Sequence, residues 1–435
     1  MNRKKSFTIL GAGLAGLSTA FFLKKDYQIF EKENSPGGLC RSREFNGYIF
    51  DYDGHLLHFR NKEILNLVQK LLGDNLISIK RNSWISSFGN YTRYPFQANL
   101  FGLPKDVLKE CLFGFVETQL NGRNKKAQQP NLKQWILRNF GSGISRHFML
   151  PYNNKFWTIA PERLSAEWVD GYIPMPSLKE VLNGAIGQNK KSFGYNSQFW
   201  YPRHGGIEKL ICAFRRGLGD QIHTLHQARR IDLSKRTVSF QNGSKVKFTN
   251  LISTLPLPEL LKIMPRLPAK VSRAAGNLRY TSIFCLNLGI ARPEITNRHW
   301  VYFPEKEFIF FRLGSPSSFS STVAPQGKSS LYVEVAYAQD QPIDKSKMVK
   351  RILQDLYKTK ILAPADTIEV CDPLEIKYGY IIYDKNYSLS TKVIHEYLNQ
   401  QRVYSIGRYG RWKYMSMEQA ILDGKETAFD QRIIS

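Results

Sequence analysis

Ser6-Phe7-Thr8-Ile9-Leu10-Gly11-Ala12-Gly13-Leu14-Ala15-Gly16, continued after Lys24-Lys25-Asp26 by Tyr27-Gln28-Ile29-Phe30-Glu31, decides the architecture. Residues 6–10 read as a buried strand, the glycines as a tight turn, Leu14 to about Lys24 as a helix, and 27–30 as a second strand ending in an acid. The three glycines serve different ends. Gly11 makes the sharp turn, Gly13 gives a bare backbone that a pyrophosphate can approach, and Gly16 lets the helix pack closely on the strand. The helix start offers amide donors and a partial positive charge to phosphates. Glu31 can accept both hydroxyls of an adenosine ribose. A lone GxGxxG is a weak signal, but strand, glycines, helix, strand and acid in register make a dinucleotide-binding unit.

Working outward, a second glycine pair follows in Gly37-Gly38-Leu39-Cys40-Arg41-Ser42. It adds bare backbone and a guanidinium for the same pyrophosphate. This arrangement resembles the FAD-binding start of the amine-oxidase-like flavoproteins, which implies FAD as the cofactor, whereas a nicotinamide-binding domain has no role for the second pair. The expected fold is α/β: a Rossmann-like FAD-binding domain with an inserted helical domain and an antiparallel β-sheet substrate domain. Approximate bounds are 1–80, 200–262 and 395–435 for the FAD-binding domain, 100–165 for the helical domain, and 81–99, 166–199 and 263–394 for the substrate domain. Helical periodicity is clear at 62–72 and 346–358, and Asn121 to Pro130 reads as a polar loop. Strands are expected at 228–231, 237–240, 246–248, 251–254, 283–288, 299–303, 308–312, 331–336 and 403–406.

Composition narrows the class. With 435 residues, 42% of them hydrophobic, the chain has room for several domains and a large core. The 22 Tyr and 27 Phe supply rings of the kind that line nucleotide and sugar sites. Five cysteines (Cys40, Cys111, Cys212, Cys285, Cys371) form no CxxC or Cys/His cluster, so neither a structural metal nor a disulfide framework is expected. The formal charge of +26 favours anionic partners, but no nucleic-acid-binding signature accompanies it. The glycines interrupt the apolar run after Met1–Lys5, so it reads neither as a signal peptide nor as a spanning helix. A cytoplasmic location is expected, with peripheral attachment to the inner face of an anionic membrane left open.

Further along, short runs resemble the UDP-galactopyranose mutases, particularly their eukaryotic-type members. They are Gly54-His55; Tyr94-Pro95-Phe96-Gln97-Ala98-Asn99; Pro151-Tyr152-Asn153-Asn154-Lys155-Phe156-Trp157; Phe193-Gly194-Tyr195-Asn196, followed by Gly205-Gly206; Trp300-Val301-Tyr302 leading to Phe311-Arg312; Gly379-Tyr380; and Gly407-Arg408-Tyr409-Gly410-Arg411-Trp412-Lys413-Tyr414. The resemblance implies catalytic roles for His55, Arg312 and Arg408. It implies substrate contacts at Tyr94, Phe96, Gln97, Asn153, Trp157, Asn196, Tyr302, Arg312, Tyr380, Arg408 and Tyr414. Expected cofactor contacts are Gly11, Gly13, Ala15, Gly16, Glu31, Lys32, Gly38, Leu39, Arg41, Ser42, His55, Ala228, Thr254, Gly407, Arg408, Glu418 and Gln419.

Three positions depart from the family pattern: Tyr172 stands where the mutases carry a second arginine, Glu418 where they carry an asparagine, and His58 where they carry a phenylalanine. Arg203, Arg411 or Lys413 could offset the missing charge. The implied activity interconverts pyranose and furanose forms of a nucleotide-linked sugar, UDP-galactose or a related hexose, for cell-surface glycan synthesis. In it, N5 of a reduced FAD attacks the anomeric carbon. The alternative is an FAD-dependent oxidoreductase of the amine-oxidase or desaturase kind, which shares the N-terminal pattern up to residue 42; a flavin-bearing binding protein without turnover is a third possibility. The sugar, the nucleotide carrier, the flavin's reductant and the oligomeric state are not legible.

Overall fold

The computed structural model describes residues 7–24, 26–120, 130–169, 171–189, 193–194 and 197–430. Asn196 and most of the loop expected at Asn121 to Pro130 therefore lie outside the described residues. A five-stranded parallel sheet runs in the order Val403–Ser405, Asn250–Ser253, Phe7–Leu10, Tyr27–Phe30, Ile222–His223. Its central strand is buried along its whole length, as a parallel strand covered on both faces must be. One cover is the helix Leu14–Leu23, and a C-terminal helix, Met417–Phe429, packs against it. The two approach at Gly424, where a Cβ would lie 2.7 Å from the Ala15 carbonyl oxygen, and Ser18 Oγ donates to the Ile421 carbonyl at 2.8 Å. That C-terminal helix was not anticipated.

The second large sheet has seven strands, in the order Ile368–Ile381, Tyr280–Ile290, Ser329–Ala338, Arg312–Gly314, Trp300–Tyr302, Ser83–Ser87, Asn90–Arg93. The three long strands are antiparallel neighbours. Ile368–Ile381 escaped the sequence reading because it carries Pro373 and four charged residues, Glu369, Asp372, Glu375 and Lys377. It is an edge strand, where a missing N–H and solvent-facing charges are tolerated. The strand expected at 308–312 is instead Arg312–Gly314. The apolar run before it packs rings inward, with Phe310 against Phe303 at 4.8 Å between centroids. Two expected domain bounds cut through elements: 199/200 falls inside the strand Gln198–Pro202, and 394/395 inside the helix Tyr387–Gln400.

After the strand Asn90–Arg93 the chain forms the helices Lys105–Leu120, Leu132–Ile144 and Leu150–Trp157. Asn131 starts the second with a capping box shared with Gln134. The first two cross on glycines: Gly114, Gly141 and Gly143 leave no room for a side chain. A Cβ on Gly143 would stand 2.3 Å from the Glu110 carbonyl oxygen. Alanine is the better helix former by about 1 kcal/mol, yet overpacking at such a crossing costs about 1–3 kcal/mol. Gly143→Ala is therefore expected to lower the thermal midpoint, which differential scanning calorimetry would read. An unchanged or raised midpoint would show that the crossing is loose.

Candidate functional site

A single cavity of about 1040 Å³ joins the glycine turn to the interface between the two sheets. That exceeds the space one drug-sized ligand needs and suits a dinucleotide with a second molecule beside it. At the turn, Gly11 has φ +93 and donates its N–H to the Phe30 carbonyl at 2.8 Å. Thr254 Oγ1 bonds the Leu10 and Gly11 carbonyls at 3.1 Å each. Gly13 caps the first helix without any side-chain bond to its amides, so these donors face the cavity as a phosphate cradle. Glu31, 6% exposed, accepts from the N–H groups of Ala12 at 2.8 Å and Glu33 at 3.0 Å, which fixes its carboxylate at the cavity wall. Gly38 packs opposite Gly13, and Arg41 folds over that pair, its Nε donating to the Gly38 carbonyl at 3.0 Å. Ala15, Lys32, Leu39, Ala228 and Gly407 complete this end. The Gly407 N–H is anchored to Asp423 at 2.6 Å.

Several expected contacts lie elsewhere. Gly16 faces the Gly11 carbonyl and serves packing, not the cavity lining. Ser42 bonds Asp51 at 2.7 Å and accepts from the Glu208 N–H, which ties a hairpin to the next helix. The Glu418 carboxylate is 5% exposed and accepts from the N–H groups of Arg60 and Asn61 at 2.7 and 2.6 Å, so it anchors the start of the helix Lys62–Leu72. Gln419 completes a capping box with Ser416 and accepts from the Tyr172 hydroxyl at 3.4 Å. None of these four lines the cavity. Nor does Phe96, which is fully buried and stacks on Phe148 at 5.0 Å. Arg203, Arg411 and Lys413 are also outside it, and Arg411 is spent on an ion pair with Asp423 at 2.7 Å.

The remaining described residues converge at the far end. Tyr94 and Tyr302 stand 5.0 Å apart, Tyr380 stacks on Tyr414 at 6.3 Å, and the Arg408 guanidinium lies over Tyr414 at 4.5 Å. Arg408 donates to the carbonyls of Met415 at 2.7 Å and Gly379 at 3.3 Å, while its Nε is buried without a partner. Gln97, 1% exposed, donates to the Pro174 carbonyl at 2.7 Å, and its Oε1 has no partner. Buried polar atoms left unsatisfied in a cavity wall mark where a ligand supplies the missing bonds. Asn153 and Trp157 pair across one helical turn, the indole N–H donating to the amide oxygen at 3.1 Å. From the same helix Lys155 Nζ donates to the carbonyls of Phe303, Glu305 and Phe310 at 2.8, 2.5 and 3.0 Å. It clamps the loop between Tyr302 and Arg312 and lies outside the cavity wall.

Arg312 is the electrostatic centre. It sits in register with Glu334 on the neighbouring strand and grips that carboxyl through Nε and Nη2, the latter at 2.6 Å. Its Nη2 also lies 3.7 Å from Asp53 and 3.5 Å from the Tyr380 hydroxyl. Burial drives the Glu334 carboxyl well above the ordinary range, with Arg312 only partly opposing it. Burial also acts to raise Asp53, but the hydrogen bond with Glu334 and the charges of Arg312 and His55 outweigh it and hold Asp53 below its usual value. His55 is placed by its Nδ1, 3.2 Å from the Asp53 carbonyl oxygen.

The sequence reading missed Asp53 and Glu334 as site residues, along with Tyr152, Phe156, Trp168, Tyr332 and Tyr409 in or beside the wall. One signal was available for Glu334: it is the lone charge in the otherwise apolar run Leu331–Ala336, and such a residue needs a buried partner.

The wall therefore fits FAD: amides without caps, glycines at closest approach and a fixed carboxylate at one end, with room beyond. The family model for flavin containing amine oxidoreductases matches residues 14–430. Among solved structures, a reduced UDP-galactopyranose mutase superposes with a TM-score of 0.91 and 27% identity, covering 98% of this chain and 93% of that one. A protoporphyrinogen oxidase homologue from Exiguobacterium shares the fold with a TM-score of 0.77 and 14% identity, covering 99% of each chain. Among curated sequences, a zeta-carotene-forming phytoene desaturase of Myxococcus xanthus is 22% identical over 78% of this chain and 73% of its own length.

Gly13 has φ −72 and ψ 177, and a Cβ there would meet nothing closer than the Gly38 Cα at 4.0 Å. Gly13→Ala is thus expected to fold with the apoprotein's normal thermal midpoint and yet to purify with little bound flavin. Visible absorbance relative to protein absorbance measures this. Wild-type flavin content would mean that the cradle lies elsewhere.

Proposed function

The chain belongs to the flavin containing amine oxidoreductases, an FAD-dependent group, and we propose that it interconverts pyranose and furanose forms of a nucleotide-linked hexose, UDP-galactose or a relative, for cell-surface glycan synthesis. One observation carries this reading. Two arginines, Arg312 and Arg408, stand inside a ring of tyrosine hydroxyls in the same cavity as the glycine cradle. An amine or polyene pocket has no use for that arrangement, whereas a diphosphate needs it. The similarity to a mutase over 98% of the chain supports the same reading.

FAD in its reduced form would supply the nucleophile for the anomeric carbon. The protein's share is positioning and charge. Arg312 and Arg408 hold the departing diphosphate, and Tyr302, Tyr380 and Tyr414 donate hydroxyl hydrogen bonds to it. Tyr94 offers a ring face to a pyrimidine, and the unpartnered Gln97 Oε1 an acceptor for its N–H. Asn153 and Trp157 border the nucleotide in this assignment, with His55 at the flavin side. Tyr172, packed edge-on against Tyr414 at 5.0 Å, occupies space where an additional cation would stand. The diphosphate is then held by fewer charges than in the resembling family, which fits a sugar that makes more of the contacts.

Dithionite-reduced protein incubated with UDP-galactofuranose or related UDP-hexofuranoses is expected to form the pyranose, resolved by anion-exchange chromatography. Arg408→Ala should lose about 100-fold in kcat/KM, the order of one charge-assisted contact of about 3 kcal/mol. No product from any such sugar, under conditions that turn over an authentic mutase, would sink the proposal.

The desaturase similarity favours a second reading, a redox flavoenzyme. Reduction of an electron-accepting dye with an amine or an apolar donor, together with a flavin spectrum indifferent to UDP, would establish it instead. No helix among the described residues is long and apolar enough to cross a membrane. A cytoplasmic site of action is our placement.

A further inference from the structure

Arg312, Asp53 and Glu334 form a group whose charges do not balance if both acids are ionised. Glu334 is fully buried, and its carboxyl is occupied by the Arg312 guanidinium. Asp53 retains 15% side-chain exposure, lines the cavity and accepts from the Gly54 N–H at 2.6 Å. The two acids meet at one guanidinium, whose Nη2 lies 2.6 Å from Glu334 Oε1 and 3.7 Å from Asp53 Oδ1. The groups that face them are Arg312, the hydroxyls of Tyr152, Tyr302, Tyr332, Tyr380 and Tyr409, the Cys285 thiol and His55. Arg312 is thus the one fixed cation against two acids. A second negative charge here would be buried without a partner, and one proton makes the group neutral.

We propose that Asp53 and Glu334 share a single proton at neutral pH, and that Asp53, the member facing the cavity, is the proton acceptor and donor for the bound ligand. The titration belongs to the pair. The ligand-directed half rests on the sugar reading above, whereas the resting proton does not. Changing a sugar's ring size requires one hydroxyl to lose a proton and another ring oxygen to gain one. In that step the hydroxyl O–H bond breaks as the oxygen's electron pair forms a bond to the anomeric carbon, and the proton bonds to an Asp53 oxygen. The former ring oxygen's bond to that carbon breaks with the electron pair left on the oxygen, which takes the proton from Asp53 as the Asp53 O–H bond breaks. Nothing is oxidised, and the net proton count is zero. While Asp53 holds the second proton, the group carries the positive charge of Arg312 alone, which a diphosphate on that guanidinium compensates. The unpartnered Gln97 Oε1 in the same wall shows independently that this end of the cavity is built for a ligand.

Infrared difference spectroscopy of the purified protein at neutral pH tests the resting pair without any substrate. A protonated-carboxyl stretch is expected in the wild type and should be lost in both Asp53→Asn and Glu334→Gln, because either change leaves one acid alone with Arg312, and it ionises. Asp51 and Glu305, also displaced upward by burial, contribute a component that neither change removes. A wild type without the band, or a band that survives both changes, overturns the pair. In turnover, Asp53→Asn should lower kcat by roughly 100-fold or more and flatten the pH profile, with UDP affinity held within a few-fold. Full turnover with an unaltered profile would overturn the acid–base role. A wild type that converts no nucleotide sugar but keeps the band would instead remove the sugar reading and leave the proton pair standing.

Discussion

The whole arrangement depends on one steric constraint: at the first turn, neither Gly11 nor Gly16 has room for a Cβ. Gly16 meets the Gly11 carbonyl, Gly11 meets the Thr254 hydroxyl, Gly38 meets the Gly13 Cα, and Gly407 meets Ala15. These residues come from distant parts of the chain, yet all reach the same few ångströms. The parallel sheet delivers them there because it aligns the ends of Phe7–Leu10, Asn250–Ser253 and Val403–Ser405 side by side. Glu31 then closes the turn by accepting from Ala12. Backbone crowding on one side and open space on the other make a cradle from a sequence that carries almost no functional side chains.

What could be read from the sequence followed the range of the interactions responsible. Gly11 to Glu31 was legible because a local turn, a helix start and a strand end impose residue types at short spacing. The helix Lys62–Leu72 was legible from its periodic apolar face. The strand Ile368–Ile381 was not, since an edge strand relaxes the demands that make a strand recognisable. The helix Met417–Phe429 was hidden because its fit depends on Gly424 meeting Ala15, a pairing no local pattern reveals. At the site, Tyr94, Gln97, Tyr302, Arg312, Tyr380, Arg408 and Tyr414 do gather on one wall. Glu418 and Phe96 show the limit: a residue within a matching run is still directed by its own packing. Asp53 and Glu334 went unrecognised because their importance lies in a three-way contact across two strands and a loop.

The net charge of +26 says less about the site than its size suggests. Arg411 is neutralised by Asp423, Arg43 by Asp372 and Arg292 by Asp366. Within the cavity, acids stand among the cations. The surplus charge supplies a long-range field for anionic molecules, which salt screens. The short-range grip belongs to Arg312 and Arg408, whose positions are set by backbone carbonyls and a buried carboxyl.

Lys155 carries a mechanical meaning beyond its three carbonyl bonds. It fastens the helix bearing Asn153 and Trp157 to the loop that leads from Tyr302 to Arg312. Two walls of the ring end therefore form one rigid jaw. Parting them would break three charge-assisted bonds in a part-buried place. Tyr172, Ile173 and Pro174, which also border the cavity, lie outside any helix or strand.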